Sequence, residues 1–444
     1  MPYVEGFGTW PFGEEWLWEA IATSYLPLLE VLARAPLTLS LTPVLCDQLE
    51  QEGTRERCLR FLKEIRPESH GRDLEGFRQT GEAELIAELE RSQAEYEAAA
   101  RALQALPDGL LASLGAHATW TSAATHAVLP LLATDSGVSL QLQTGVASHR
   151  RRFGEWGGGL WLPECAHAAW LHPLLEEAGV RFTCVELTGR FGLGDERHLQ
   201  PLQTEEGPVL WPIDRSIMAL VWSDDGYPSA AAYRDYHGLT FHHHRVWTND
   251  GRTYEHERAR AQVEAHARDF VARAKARVAH GGVCVCALDT ELLGHWWYEG
   301  VRWLEAVVAE AERQGLGLTA LDEDALERHV PAPAPSDLAV SSWGEGGDLR
   351  TWSGPSVAQF AWRARTAELA VAGAPGPPSE RVLRELLALQ ASDWAFLAYR
   401  GLAADYPGAR AAGHAAALTQ ALARPAELEP RVRNLAPELA GWEG

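Results

Sequence analysis

The chain has 444 residues, 46% of them hydrophobic, which is enough for one large domain and a smaller one. Its formal net charge of -22 argues against nucleic acid or an anionic membrane as a partner, because both bind basic surfaces. Residues 1–20 lack the basic start and apolar middle of a secretory signal, and the longest uncharged stretch is too polar to span a bilayer, so we expect a cytoplasmic protein.

The first hundred residues predict helices around one short strand. A helical region runs to about residue 33, and a short apolar strand follows at 37–42. Residues 47–106 are helical and highly charged, with no sustained heptad, so we predict a helical hairpin inserted between strands.

Strand-like and helical segments then alternate, which indicates a parallel sheet, open or closed into a barrel. The predicted strands lie at 115–122, around 159–163, and at 181–187, 217–222 and 283–288. The predicted helices between them include 125–133, 166–178 and 257–279. In such a fold the functional side chains are expected at the carboxyl ends of the strands.

A proline-rich stretch at 329–338 looks like a linker to a second unit. A glycine-rich loop at 341–348 follows, and beyond residue 355 the pattern is helical, interrupted by prolines at 374–378. We therefore predict a barrel domain over 1–330, containing the 47–106 helical subdomain, and a C-terminal helical domain over 331–444. The latter is expected to contribute a tryptophan-bearing loop to the barrel mouth.

No metal site or cofactor is predicted. The six cysteines are scattered and are interpreted as small buried hydrophobic residues, including the pair Cys284 and Cys286 on one strand face. The run His242-His243-His244 matches no zinc spacing and is interpreted as a solvated loop.

Two motifs carry most of the functional information. Glu164 ends the apolar run at 158–163, and Asp289 ends the strand predicted at 283–288; tryptophans flank both. Two carboxyl groups walled by indole rings suit glycoside chemistry, because one acid can stay protonated while the other ionises and attacks the sugar. The total of 18 tryptophans indicates a surface on which sugar rings stack.

These motifs resemble glycoside hydrolase family 57, and within it the 1,4-α-glucan branching enzyme type. The family's WLPEC block matches 161–165, and its DTELxGHWWxEG block matches 289–300. Further blocks match in order at 121–132, at 221–223 with 226–228, at 341–348 with Trp352, and at 391–394. The resemblance covers nearly the whole chain.

The resemblance implies a (β/α)7-type barrel and a retaining mechanism on an α-1,4-glucan. Glu164 is implied as the nucleophile and Asp289 as the general acid/base, with carboxyl groups within ~5–6 Å of each other. Residues implied to bind substrate are His126, Trp16, Trp161, Trp222, His295, Trp296, Trp343, Trp352 and Asp393. Glu291 is expected to support the site. The resemblance leaves open a monomer or a small homo-oligomer.

The chain departs from the family pattern at two places. Family members begin with a barrel strand that ends in a His-x-His-Leu-Pro-Tyr-Val-type motif, whereas only Pro2-Tyr3-Val4 continues that motif here. The first strand is therefore apparently missing, and a start assigned too late is favoured over a barrel lacking one strand. In addition, no tyrosine lies between Glu164 and Tyr227, where the family has one that shields the intermediate, so we expect more hydrolysis or weaker branching.

Two alternatives stay open at this point. One is an α-amylase or 4-α-glucanotransferase of the same family, which product linkage analysis would separate. The other is a catalytically impaired glucan-binding protein, which a real loss of the first strand would favour.

Overall fold

The computed structural model describes residues 14–424 and 434–442 and shows an α/β fold. One seven-stranded sheet, in the order β1-β2-β3-β4-β6-β5-β7, runs through the described residues. Its strands are β1 (Leu39–Ser40), β2 (Ala118–Ser122), β3 (Gly159–Trp161), β4 (Phe182–Val185), β5 (Leu202–Gln203), β6 (Val209–Pro212) and β7 (Ala332–Pro333). All four residues of β4 and of β6 are buried, as expected for central strands covered on both faces.

Five of these strands form the parallel wall of a (β/α)7-type barrel. β1, β2, β3, β4 and β6 pair in chain order and in parallel. The extended segment 283–288 continues the wall through a parallel bridge between Ile213 and Val285. The predicted fold class is confirmed, with five parallel barrel strands and the extended segment 283–288 among the described residues.

Among the described residues, no strand joins the two edges of the barrel wall. β1 forms one edge of the wall and the segment 283–288 forms the other, and a cavity of about 840 Å³ is lined by both, including Leu39, Leu41, Val283 and Val285. Residues 2–4, which carry the remainder of the first-strand motif, lie outside the described residues.

Helices of the first hundred residues pack on one side of the wall. The first helix is continuous through a π-turn, with α1 (Glu15–Ala20), the turn at Ile21–Tyr25 and α2 (Leu26–Leu32). It is followed by α3 (Pro43–Glu50), α4 (Thr54–Arg60), a second π-turn (Phe61–Ile65), α5 (Arg66–Thr80), α6 (Ala83–Ala105) and α7 (Gly109–Gly115). α5 and α6 pack against each other as a hairpin. The predicted helical stretch 47–106 thus starts slightly earlier in the structure.

The next helices alternate with the strands. They are α8 (Asp135–Phe153), α9 (His172–Glu177), α10 (Thr188–Phe191), α11 (Arg215–Trp222), α12 (His256–Arg277), α13 (Gly300–Gln314) and α14 (Glu323–Arg328). Short 3-10 turns occur at Leu129–Leu131, Pro163–Cys165, Ala169–Leu171, Glu196–Leu199, Tyr227–Ser229, Thr290–Leu292 and Glu345–Gly347. The helix predicted at 257–279 is confirmed by α12.

Two secondary-structure predictions are wrong. Residues 217–222, predicted as a strand, form α11, because Asp214 caps the helix by accepting hydrogen bonds from the backbone N–H groups of Ser216 and Ile217. An uninterrupted apolar run fits a buried helix as well as a strand, and the true strand is the neighbouring β6. Residues 125–133, predicted as a helix, contain only the 3-10 turn at Leu129–Leu131.

The C-terminal helices share a second hydrophobic cluster with residues of the barrel region. Its helices are α15 (Arg350–Ser353), α16 (Ala358–Ala372), α17 (Glu380–Leu389), α18 (Asp393–Tyr399) and α19 (Tyr406–Ala423). Glu368 of α16, fully buried, accepts hydrogen bonds from the backbone N–H groups of Ala133 and Thr134 at 3.0 and 2.7 Å. Arg365 donates to the carbonyl of Leu132 at 2.7 Å.

The interpretation of the histidine run as a solvated loop is wrong for His244. This side chain is 1% exposed, and its ring centroid lies 3.8 Å from that of His70 on α5. Burial and the nearby Arg66 lower the pKa of His244, so the imidazole is neutral and serves packing. Within the described ranges, no helix is both long and apolar enough to cross a bilayer.

Candidate active site

Glu164 lies immediately after β3, in a turn with unusual backbone geometry. Its φ is +61°, and that of Cys165 is +50°, the left-handed region that non-glycine residues rarely adopt. The turn directs a carboxylate, 14% exposed, towards the mouth of the barrel. Trp343 fixes it at two points: its backbone N–H donates to the Glu164 carbonyl at 3.1 Å, and its indole Nε1 donates to Oε2 at 3.0 Å.

His126 lies on the other side of this carboxylate. Its Nδ1 is 3.6 Å from Glu164 Oε1 and 3.0 Å from the hydroxyl of Ser392. The backbone N–H of Ser392 also donates to the His126 carbonyl at 3.2 Å. His126 has a φ of +58°, so a third residue in the left-handed region lies at the site, where the C-terminal helical region holds it.

Tryptophans form a wall beside Glu164. The ring centroids of Trp161 and Trp343 are 4.8 Å apart, and those of Trp222 and Trp343 are 6.2 Å apart. Trp222 is 40% exposed, so its indole has a face free for a ligand. Trp352 is only 2% exposed and packs beneath Gly344. Its indole therefore has no face free for a sugar, in contrast to the predicted role in substrate binding. In this structure Trp352 supports the loop that carries Trp343.

Asp289 follows the segment 283–288 and faces the large cavity, so that its surface is accessible although protein surrounds it. This protein environment raises its pKa well above the ordinary 3.8, and the negative charges of Glu291, Glu164 and Asp393 raise it further. The four carboxyl groups therefore belong to one electrostatic cluster. This environment favours the protonated form of Asp289.

The π-turn of the first helix holds Glu291 and the backbone beside it. The hydroxyl of Tyr25 donates to Glu291 Oε1, and that of Ser24 donates to the Thr290 carbonyl at 2.8 Å. Burial and the charge of Glu291 raise the pKa of Tyr25, which keeps the phenol protonated as the donor. This placement agrees with a supporting role for Glu291.

A second aromatic group lies beyond Glu291. The ring of Trp16 is 6.1 Å from that of His295 and 5.8 Å from that of Trp296, and Tyr236 is 4.7 Å from Trp296. His295 is 5% exposed, and burial, with the charge of Arg245, lowers its pKa to about 3. His295 is therefore neutral and can serve as a hydrogen-bond partner but not as a cation.

Contacts or charge interactions connect ten of the eleven residues predicted from the sequence in two neighbouring groups. The group around the two candidate carboxyl groups contains Glu164, Asp289, His126, Trp161, Trp222, Trp343 and Asp393. The group beside Glu291 contains Trp16, His295 and Trp296, whereas Trp352 lies below the loop of Trp343.

Three contributors were not predicted: Tyr25, Ser392 and Tyr236. Ser392 lies inside the block matched at 391–394, so its neighbourhood was signalled. Tyr25 and Tyr236 were not, because their partners Glu291 and Trp296 are distant in sequence. Tyr236 supplies a tyrosine ring near the site although none lies between Glu164 and Tyr227.

The sequence of the chain matches a known family of enzymes. The model of glycosyl hydrolase family 57 matches residues 1–334. The chain belongs to glycoside hydrolase family 57 and is an enzyme of the glycoside hydrolase and transferase class.

Individual relatives show which members of the family the chain resembles. The chain is 30% identical to the 1,4-alpha-glucan branching enzyme TK1436 of Thermococcus kodakarensis, over 93% of this chain and 70% of the relative. It is 31% identical to a probable 1,4-alpha-glucan branching enzyme of Mycobacterium tuberculosis, over 94% of this chain and 88% of the relative. The crystal structure of a GH57-type branching enzyme from Pyrococcus horikoshii superposes with a TM-score of 0.84 at 29% identity, covering 99% of this chain and 92% of that one.

Proposed function

We propose that the protein is a retaining α-1,4-glucan branching enzyme with Glu164 as the nucleophile and Asp289 as the general acid/base. The observation that carries the proposal is the contrast between the two carboxyl groups. Glu164 accepts a hydrogen bond from the Trp343 indole, whereas its neighbours raise the pKa of Asp289. Two acids in different environments can divide the roles of nucleophile and proton donor. The branching activity printed for the relatives supports the choice of reaction.

In the first step, a Glu164 carboxylate oxygen attacks the anomeric carbon of the donor chain. The glycosidic C–O bond breaks, and the Asp289 proton passes to the leaving oxygen. His126 beside Glu164 Oε1, and Trp161, Trp222 and Trp343, would hold the sugar ring at the reacting carbon.

In the second step, Asp289, now ionised, removes the proton from a 6-hydroxyl of an acceptor glucan. The acceptor oxygen attacks the anomeric carbon, and the bond to Glu164 breaks to leave an α-1,6 linkage. Two successive displacements at one carbon retain its configuration.

A hydrolytic side reaction belongs to the same proposal. Asp289 faces the cavity of about 840 Å³ between the barrel edges, which is large enough to hold water near the group that activates the acceptor. Water in place of the acceptor hydroxyl would release the donor chain.

The test is product analysis on amylose. We expect new α-1,6 linkages, some new reducing ends, and loss of both with Glu164→Gln, which removes the nucleophile but keeps the shape. Reducing ends or disproportionated chains without α-1,6 linkages would favour an amylase or a 4-α-glucanotransferase. Binding of glucan with no turnover by the wild-type protein would favour a glucan-binding protein.

A further inference from the structure

We propose that a second cavity, beyond the aromatic group of Trp296, is an extension of the cleft that binds the α-1,4-glucan chain several sugars away from the reacting bond. This inference rests on the proposed function. The cavity has a volume of about 650 Å³. Its lining residues are Tyr236, His237, Trp296, Glu345, Tyr399, Arg400 and Leu402.

The walls come from four separate parts of the chain that the fold brings together. Tyr236 and Trp296 form one wall, with ring centroids 4.7 Å apart. The guanidinium of Arg245 lies 4.0 Å from the Tyr236 ring centroid and holds the ring from behind. On the other side, the Tyr399 hydroxyl at the end of α18 donates to Glu345 Oε2 at 2.5 Å.

The cavity begins close to both candidate catalytic groups. Glu345 lies two residues after Trp343, the residue hydrogen-bonded to Glu164, a span of at most ~7 Å of extended chain. On the other side, the backbone N–H of Trp296 donates to the Glu291 carbonyl at 3.1 Å, and Glu291 is one of the charges acting on Asp289. On both sides, the lining of the cavity therefore adjoins residues that contact or act on the candidate catalytic groups.

The lining suits a neutral polyhydroxylated chain. Three aromatic side chains, Tyr236, Trp296 and Tyr399, are partly exposed, so each offers ring surface to the C–H faces of sugars. Glu345 and Arg400, both exposed, supply an acceptor and a donor of opposite charge, which favours neither anions nor cations. A few polar groups set among aromatic ones are typical of a site that fixes the orientation of a neutral ligand.

The test compares a long and a short oligosaccharide. Maltoheptaose is long enough to reach the second cavity, whereas maltotriose can occupy the central cleft alone. Binding is measured by calorimetry with Glu164→Gln protein, which cannot turn the sugars over, and with the same protein carrying Tyr399→Ala. Trp362→Ala is the matched control, because Trp362 is a 67% exposed aromatic residue on α16 outside the cavity.

We expect Tyr399→Ala to weaken maltoheptaose binding by about fivefold, the loss of one stacking contact, and to leave maltotriose binding within about twofold. Tyr399→Phe should retain most of the affinity, because it keeps the ring. With the active enzyme, Tyr399→Ala should raise KM for amylose and leave kcat nearly unchanged.

An unchanged ratio of the two affinities in Tyr399→Ala would overturn this inference and leave the proposed function intact. If the Glu164→Gln parent bound neither sugar, the proposed function and the inference would both fail. Equal weakening of both sugars, with a lowered melting temperature, would show that Tyr399 has only a structural role.

Discussion

The indole of Trp343 donates a hydrogen bond to the carboxylate of Glu164 over 3.0 Å, and the backbone of the same residue binds the Glu164 carbonyl. The barrel alone therefore does not complete the site. The loop that follows the last barrel helix fixes the candidate nucleophile in both position and orientation. Arg215 in turn donates to the Trp343 carbonyl at 3.0 Å and anchors that loop to the barrel.

Trp343→Phe tests this relationship directly. The ring remains, but the hydrogen bond to a charged oxygen is lost, an interaction of about 1.5–3 kcal/mol. We expect kcat on amylose to fall by ~10- to 100-fold. Trp362→Phe, at an exposed position on α16, should leave kcat unchanged. Wild-type kcat in Trp343→Phe would mean that the contact does not orient the nucleophile.

Ser392→Ala tests whether the C-terminal helices position His126. The substitution removes the hydroxyl 3.0 Å from His126 Nδ1 but keeps the backbone hydrogen bond between the two residues. One neutral hydrogen bond corresponds to about 1 kcal/mol, so we expect kcat/KM to fall about fivefold. Ser356→Ala, at an exposed serine, is the control. An equal loss in both variants would contradict the positioning role.

Glu291→Gln tests whether the charge of Glu291 raises the pKa of Asp289. Since the charge of Glu291 raises the pKa of Asp289, its removal should lower that pKa. Asp289 would then lose its proton at lower pH, and the alkaline limb of the kcat/KM profile should move to lower pH. Glu257→Gln removes the charge of an exposed glutamate on α12 and should leave the profile in place. A shift to higher pH would refute the assignment.

Asp289→Asn should remove activity while increasing stability. The native state holds the Asp289 proton more tightly than the unfolded chain, so this group lowers the free energy of unfolding as pH rises above 3.8. Asparagine does not titrate. We expect kcat to fall by ~10²–10⁴-fold and the melting temperature at pH 7 to rise, with the gain vanishing below pH 3.8. A gain independent of pH would require another explanation.

Glu368→Ala tests how strongly Glu368 fastens the C-terminal helices to the barrel. Besides the two backbone N–H groups of Ala133 and Thr134, the Glu368 carboxylate binds Gln390 Nε2 at 3.0 Å. Truncation leaves these buried donors without an acceptor, at a cost of about 3 kcal/mol in the free energy of unfolding. Urea denaturation measures this cost. Glu380→Ala, at a 77% exposed glutamate of α17, should cost less than about 0.5 kcal/mol.

The candidate catalytic motifs could be proposed from the sequence because each one is a short, continuous stretch of the chain. Glu164 and Asp289 both end strand-like segments, and parallel strands bring such ends to one edge. The strand predicted at 217–222 was wrong because an uninterrupted apolar run has no periodicity, so it fits a buried helix as well as a strand. The structure forms a helix there, and Asp214 caps its N-terminus.

The contacts that complete the site could not be predicted from local pattern. Tyr25 with Glu291, and Trp343 with Glu164, are separated by 266 and 179 residues. Burial of His244 against His70 depends likewise on the packing of the 233–256 segment on α5.

The most direct measurement of the central claim is the covalent intermediate. Asp289→Asn protein would be incubated with α-maltotriosyl fluoride, whose leaving group needs no acid, and then digested for mass spectrometry. The account predicts a maltotriosyl ester on the peptide that contains Glu164. Release of maltotriose without any adduct, or an adduct on a different residue, would contradict it.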